Sequence, residues 1–196
     1  PHRMGAWSAD SKTEVTSMSG DDFFANEKSA TICAESEGNG HIEFADGQGK
    51  VTVLKNNVHF QTGDVIDATK MGAKALRSFL EAEVADAKNK DILFSMHVKA
   101  TMMKISDPII FGHTVMAYFK KVYEKHAATF EKLGIDPDNG IGDIDTKIKS
   151  LPAAQQAAIE ADIKACMDKQ PALYMVNSDR GITSLHVPSD IIIDAS

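Results

Sequence analysis

The chain has 196 residues, 25% of them charged and 43% apolar, with a formal net charge of −7. That length fits one domain or one lobe of a larger one, with enough apolar material for a core. The acid excess argues against a nucleic-acid surface, no apolar stretch approaches the ~20 residues that span a bilayer, and the N-terminus carries no signal-peptide pattern. Lysines and acids alternate, as in Lys120-Lys121-Val122-Tyr123-Glu124-Lys125. Such charges read as solvated helix faces, so an anionic substrate must be held by local cations. Cys33 and Cys166 lie far apart with no CxxC spacing. They read as free buried thiols in a reducing cytosol.

Residues 1–28 are weakly patterned and hold the single tryptophan, Trp7, which suits either a local core or an anchor on a neighbouring part of a larger protein. From Ser29 to Gln61 the pattern is β: short alternating runs at 30–33, 41–44, 51–54 and 58–60, separated by Gly, Asn and Asp. This predicts an antiparallel meander with one wet face, on which His41 and His59 sit at the surface. The period then changes. Met71, Ala75, Leu76, Phe79, Leu80 and Val84 follow helical spacing, with Asp67 as a candidate cap.

An apolar run at 92–96 predicts a buried strand, and a second long helix follows Asp107-Pro108 with Ile110, Phe111, Val115, Tyr118, Phe119 and Val122 as its stripe. Tyr118 and Tyr123 read as packing residues. The acids of 134–143 invite a calcium-loop reading, but counting from Asp136 puts Ile141 where that loop needs glycine. The stretch is therefore a turn that caps the next helix. Residues 152–169 are helical by propensity, and 172–176 and 191–193 predict two more buried strands. There is no G-x-G-x-x-G fingerprint.

Two strand ends carry polar groups. Lys99 follows the 92–96 run, and Asp194 follows 191–193. In open α/β sheets ligand chemistry gathers at strand ends. Lys99 and Lys104 also suit simple snorkelling to solvent, and Asp194 suits a turn cap.

Three long words carry a resemblance: HRMGAWSADSK (2–12), HVKATMMKISDPIIFGH (97–113) and ALYMVNSDRGITSLHVPSDIIIDAS (172–196). They resemble the bacterial monomeric NADP-dependent isocitrate dehydrogenases, and the likeness runs the length of the chain. It implies an internal segment of a cytoplasmic, monomeric enzyme of the tricarboxylic acid cycle and glyoxylate bypass. That enzyme binds NADP and Mg2+ or Mn2+ and converts isocitrate to 2-oxoglutarate. The resemblance places the catalytic lysine on Lys99 and one metal-holding aspartate on Asp194, and carries no specific contact onto Asn177, Ser178, Arg180 or His186. His97, Lys104, Ser106 and His113 surround the lysine word and suit supporting or structural roles.

It further implies that the carboxylate-gripping cluster precedes Pro1, and that the other metal aspartates, the catalytic tyrosine and the NADP site follow Ser196. The expectation is then α/β: a mixed sheet with an antiparallel meander and long flanking helices, residues 1–196 forming a single lobe of a larger enzyme domain. The partners are isocitrate and the rest of the parent enzyme, and the segment alone is inactive. A non-enzymatic α/β binding or interaction module is the alternative.

Overall fold

The computed structural model describes residues 5–96, 98 and 102–188. The fold is mixed α/β with antiparallel ladders and flanking helices. The chain divides into two compact units, Ser19–Gly72 and a larger one made of Pro1–Met18 with Ala73–Ser196.

The smaller unit contains four strands: β1 (Lys28–Thr31), β2 (Gly38–Ala45), β3 (Val51–Phe60) and β4 (Val65–Ala68). They do not form the expected meander. β2 pairs with β3 as a hairpin, while β1 pairs with β4, so the outer pair encloses the hairpin in sequence. Two local features account for the difference. Asn56-Asn57, which reads as a turn, is absorbed into one continuous β3. Asn57 takes a left-handed φ of 56° there, which asparagine tolerates at low cost. β4 is a fourth strand that sequence patterning missed, because Asp67 reads as a helix cap. Asp67 instead pairs opposite Ser29 on β4, and the helix starts later. His41 and His59 are exposed, as expected, and Ile32 is the single buried apolar residue among the described residues of this unit.

The larger unit holds the core. Helix α1 (Ala73–Lys90) buries Leu76, Leu80 and Val84 of the predicted stripe, and Ala87 besides; Ala75 and Phe79 are half-buried, and Met71 precedes the helix. The predicted second long helix is two: α2 (Ser106–Tyr118) and α3 (Lys120–Leu133), separated at Phe119. At the break the Val122 N–H bonds the Phe119 carbonyl rather than that of Tyr118. The Tyr118 carbonyl is thus released from the helical ladder. It accepts instead from the Gln170 amide at 3.0 Å and from the Cys166 thiol at 3.4 Å. A buried carbonyl needs such a partner, so the break is tied to the C-terminal side of α5 (Ala153–Met167). Phe111, Val115, Tyr118, Phe119 and Val122 of the predicted stripe are all buried. The Tyr118 hydroxyl donates to the Pro171 carbonyl at 2.6 Å, so its role is packing and anchoring, and burial pushes its ionisation well up.

The 134–143 stretch is a turn that leads into α4 (Ile141–Lys147). Asp136 accepts from the Asp138 N–H at 3.0 Å, and the Asp136 N–H donates to Asp143 at 2.8 Å. The acids thus satisfy backbone donors, which is what a loop-to-helix junction requires. α2 packs against this turn through Gly112. A β-carbon there would overlap the Asp138 carboxylate and lie 2.9 Å from the Asp138 backbone nitrogen. Gly112→Ala is expected to destabilise the larger unit by about 1–3 kcal/mol, the usual cost of overpacking. Urea unfolding followed by helical circular dichroism measures this, and an unchanged midpoint contradicts the close packing.

The 92–96 run is not a regular strand. Phe94 makes one parallel bridge with Leu173, its N–H donating to the Ala172 carbonyl at 2.8 Å. Phe94 and Val98 are buried, whereas Leu93 is 59% exposed. The run is therefore one-sided, and its apolar sequence overstates its burial. Likewise the predicted buried strand at 172–176 is a short exposed one, β5 (Met175–Asn177), paired with β6 (Ile182–Thr183). The 191–193 strand lies outside the described residues.

Candidate active-site region

Lys99 and Asp194 both lie outside the described residues, as does His97. What the structure gives is the two approaches to them. The first is made of residues 92–96 and 98, fixed by the Phe94–Leu173 bridge and by burial of Phe94 and Val98 in the main core. Within the lysine word the chain enters α2, where the Asp107 N–H bonds the Met103 carbonyl at 3.1 Å. Lys104 is exposed, and the Ser106 hydroxyl contacts the Asp107 carboxylate at 3.4 Å.

The second approach is the β5–β6 pair. Met175 pairs with Thr183, and the Ser184 N–H bonds the Tyr174 carbonyl at 2.9 Å. Residues 92–96 and β6 therefore both bond to the same stretch, 172–176. The first runs parallel to it and the second antiparallel.

Past Thr183 the chain reverses. The His186 N–H bonds the Thr183 carbonyl at 3.1 Å, closing a turn. The Thr183 N–H donates to His186 Nδ1 at 2.8 Å, and the Thr183 hydroxyl lies 2.9 Å from the same nitrogen. A ring nitrogen that accepts an N–H carries no proton, so the neutral ring holds its proton on Nε2. Nε2 faces the Asp145 carboxylate of α4 at 3.7 Å. Burial holds His186 below its ordinary value, while Asp145 opposes that shift.

Burial lowers His113, with Arg77 adding repulsion and Asp138 opposing. Its Nδ1 is buried without a hydrogen-bond partner among the described residues. Burial, with the neighbouring Asp143, pushes the Tyr123 hydroxyl up, and its ring packs edge-on against Phe130. Asn177 accepts from the Arg180 N–H at 3.1 Å and so closes the 178–180 turn. Cys33 and Cys166 are free, but Cys33 is exposed rather than buried, and Cys166 is partly buried with its thiol pushed up by burial. Sequence reasoning missed the His186 cluster. Its signal was Gly140-Ile141-Gly142, two glycines at a helix start with no turn-type reason of their own.

Among the described residues no three His, Cys, Asp or Glu side chains converge to hold a metal ion, and no helix is long and apolar enough to cross a membrane. The family model for monomeric isocitrate dehydrogenase matches residues 1–196. The NADP isocitrate dehydrogenase 2 of Colwellia maris is 53% identical over 196 residues, which cover all of this chain and 26% of the relative. The NADP isocitrate dehydrogenases of Azotobacter vinelandii and Corynebacterium glutamicum are 52% and 47% identical, with the same coverage. The chain thus spans about a quarter of the length of these relatives, and it belongs to the monomeric isocitrate dehydrogenase family.

Proposed function

We propose that this chain is part of the large domain of an NADP-dependent enzyme that oxidatively decarboxylates isocitrate to 2-oxoglutarate. The observation that carries this reading is the full-length match of the chain to relatives named NADP isocitrate dehydrogenase, at 53% identity in the first case. Lys99 relays the proton of the isocitrate C2 hydroxyl as hydride passes to NADP. A lysine suits that task once burial or neighbouring cations lower its pKa. Asp194 supplies one carboxylate ligand to Mg2+ or Mn2+, hard ions that favour oxygen donors. A cation held there would supply Lewis-acid polarisation of the substrate hydroxyl and its adjacent carboxylate.

One carboxylate cannot hold such an ion firmly, and the described residues add no cluster to it. On this reading the remaining ligands, the grip on the substrate carboxylates and the NADP site come from the rest of the full-length protein. The enzyme acts as a monomer in the cytoplasm, in the tricarboxylic acid cycle and glyoxylate bypass. Two free cysteines accord with a reducing compartment.

Asp194→Asn in the full-length protein tests the cation role. The Mn2+ concentration for half-maximal NADPH formation is expected to rise at least tenfold, and direct Mn2+ binding, read by electron paramagnetic resonance, to weaken in parallel. Unchanged Mn2+ binding removes Asp194 from the cation site.

A further inference from the structure

The turn that reverses the chain after β6 is held by an arrangement that the proposed chemistry does not use. Its two carbonyls dock on the start of α4: the Ile141 N–H donates to the Leu185 carbonyl and the Gly142 N–H to the His186 carbonyl, each at 3.0 Å. The space for those carbonyls exists because residues 140 and 142 are glycines. A β-carbon on Gly140 would overlap the His186 carbonyl oxygen and lie 2.8 Å from that of Leu185, and one on Gly142 would lie 2.9 Å from the His186 oxygen. Gly140 also has φ +81°, a conformation that suits glycine. The Leu185 side chain is fully buried in the core, and the Leu185 N–H bonds the Thr183 hydroxyl at 3.3 Å.

The one ionisable group inside this device is His186. Its unprotonated Nδ1 receives the Thr183 N–H, a donor fixed by the backbone that cannot turn away. We infer that His186 is a proton-sensitive latch: the neutral ring holds the 183–186 turn in the shape whose carbonyls dock on α4, and protonation at Nδ1 sets two N–H donors face to face and releases the turn. The groups facing the ring are few. Asp145 of α4 lies at 3.7 Å from Nε2, and its charge favours the protonated ring, whereas the Thr183 N–H aimed at Nδ1 opposes it. Partial burial raises Asp145 itself, helped by Glu160 of α5 and opposed by His186 and Lys149. Against the Asp145 charge stand the burial of the ring and the loss of the Thr183 bond. The neutral ring therefore belongs to the closed turn, and the open turn takes up the proton. The sign follows: the latch is fully closed above the ordinary histidine value of 6.5 and weakens as pH falls below it.

The latch sits eight residues before Asp194 in the sequence. The latch itself stands on the 140–186 contacts and not on the role of Asp194. Hydrogen exchange on the full-length protein tests it without substrate or metal. Protection at the Ile141, Gly142 and Thr183 amides, corrected for intrinsic exchange, is expected to fall by up to tenfold per pH unit below about 6.5, as uptake of one proton requires. His186→Asn keeps an acceptor oxygen at the δ position and cannot titrate, so its protection at these amides is expected to stay level over the same range. Level protection in the wild-type protein, or an equal fall in His186→Asn, overturns the latch. Neither result bears on Asp194, whose role is read separately by Mn2+ binding to Asp194→Asn.

Discussion

Lys99→Met in the full-length enzyme is expected to lower kcat for NADP-dependent isocitrate oxidation by about 10²–10⁴-fold, the usual contribution of a positioned acid–base group. Methionine keeps most of the length and apolar stem of lysine but has no ionisable nitrogen. The substitution therefore removes the proton relay with little change in volume. An interaction made only in the transition state lowers kcat and kcat/KM together, whereas a lysine that merely binds substrate raises KM and leaves kcat intact. Steady-state NADPH formation at varied isocitrate separates the two. The packing of the approach segment bears on the control: Phe94 and Val98 are buried on its inner side and already fix it to the core. The variant is accordingly expected to unfold at the wild-type temperature. A wild-type kcat in Lys99→Met removes the lysine from the mechanism.

The second large effect concerns the 196-residue chain by itself. It is expected to form no detectable NADPH from isocitrate, NADP and Mn2+. Holding reactants in productive geometry is worth about 7–11 kcal/mol in well-oriented systems, equivalent to about 10⁵–10⁸ in rate. Nothing described here supplies that geometry. Among the described residues no three His, Cys, Asp or Glu side chains converge to hold a metal ion, and the sequence has no glycine-rich dinucleotide fingerprint. The chain spans 26% of the length of its relatives, and the proposed grip on the substrate carboxylates and the cofactor site belongs to the remainder. The measurement is the same spectrophotometric assay with purified chain at high concentration. Robust turnover shows that the segment carries a complete site.

The helices were the most legible part of the sequence. Leu76, Leu80 and Val84, and Phe111, Val115 and Val122, recur at helical spacing because each helix of the larger unit has a single core to face. The break at Phe119 left no trace in that pattern, since residues on both sides of it remain buried and the carbonyl it frees is claimed by Gln170 and Cys166 from a distant segment. The strands were less legible. Runs such as 92–96 and 172–176 are apolar yet half exposed, so their composition does not report burial within this chain. Asn56-Asn57 misled because asparagine signals a turn and a left-handed strand irregularity with the same residue. For the candidate site, the words around Lys99 and Asp194 pointed to the family, while the contacts that organise one approach, Gly140 and Gly142 against Leu185 and His186, bring together positions some 45 residues apart that no local pattern links.

The role of Lys99 as a proton relay, on which the functional reading turns, is tested most directly by chemical rescue. Lys99→Ala in the full-length enzyme opens a space where the amine stood. Added ethylamine is expected to restore part of the lost turnover, in proportion to its concentration and more strongly as pH approaches its pKa. Tetramethylammonium at equal ionic strength, which carries charge but no transferable proton, is expected to restore none. Equal recovery with both cations, or a Lys99→Ala variant that turns over isocitrate at the wild-type rate without any amine, contradicts the account.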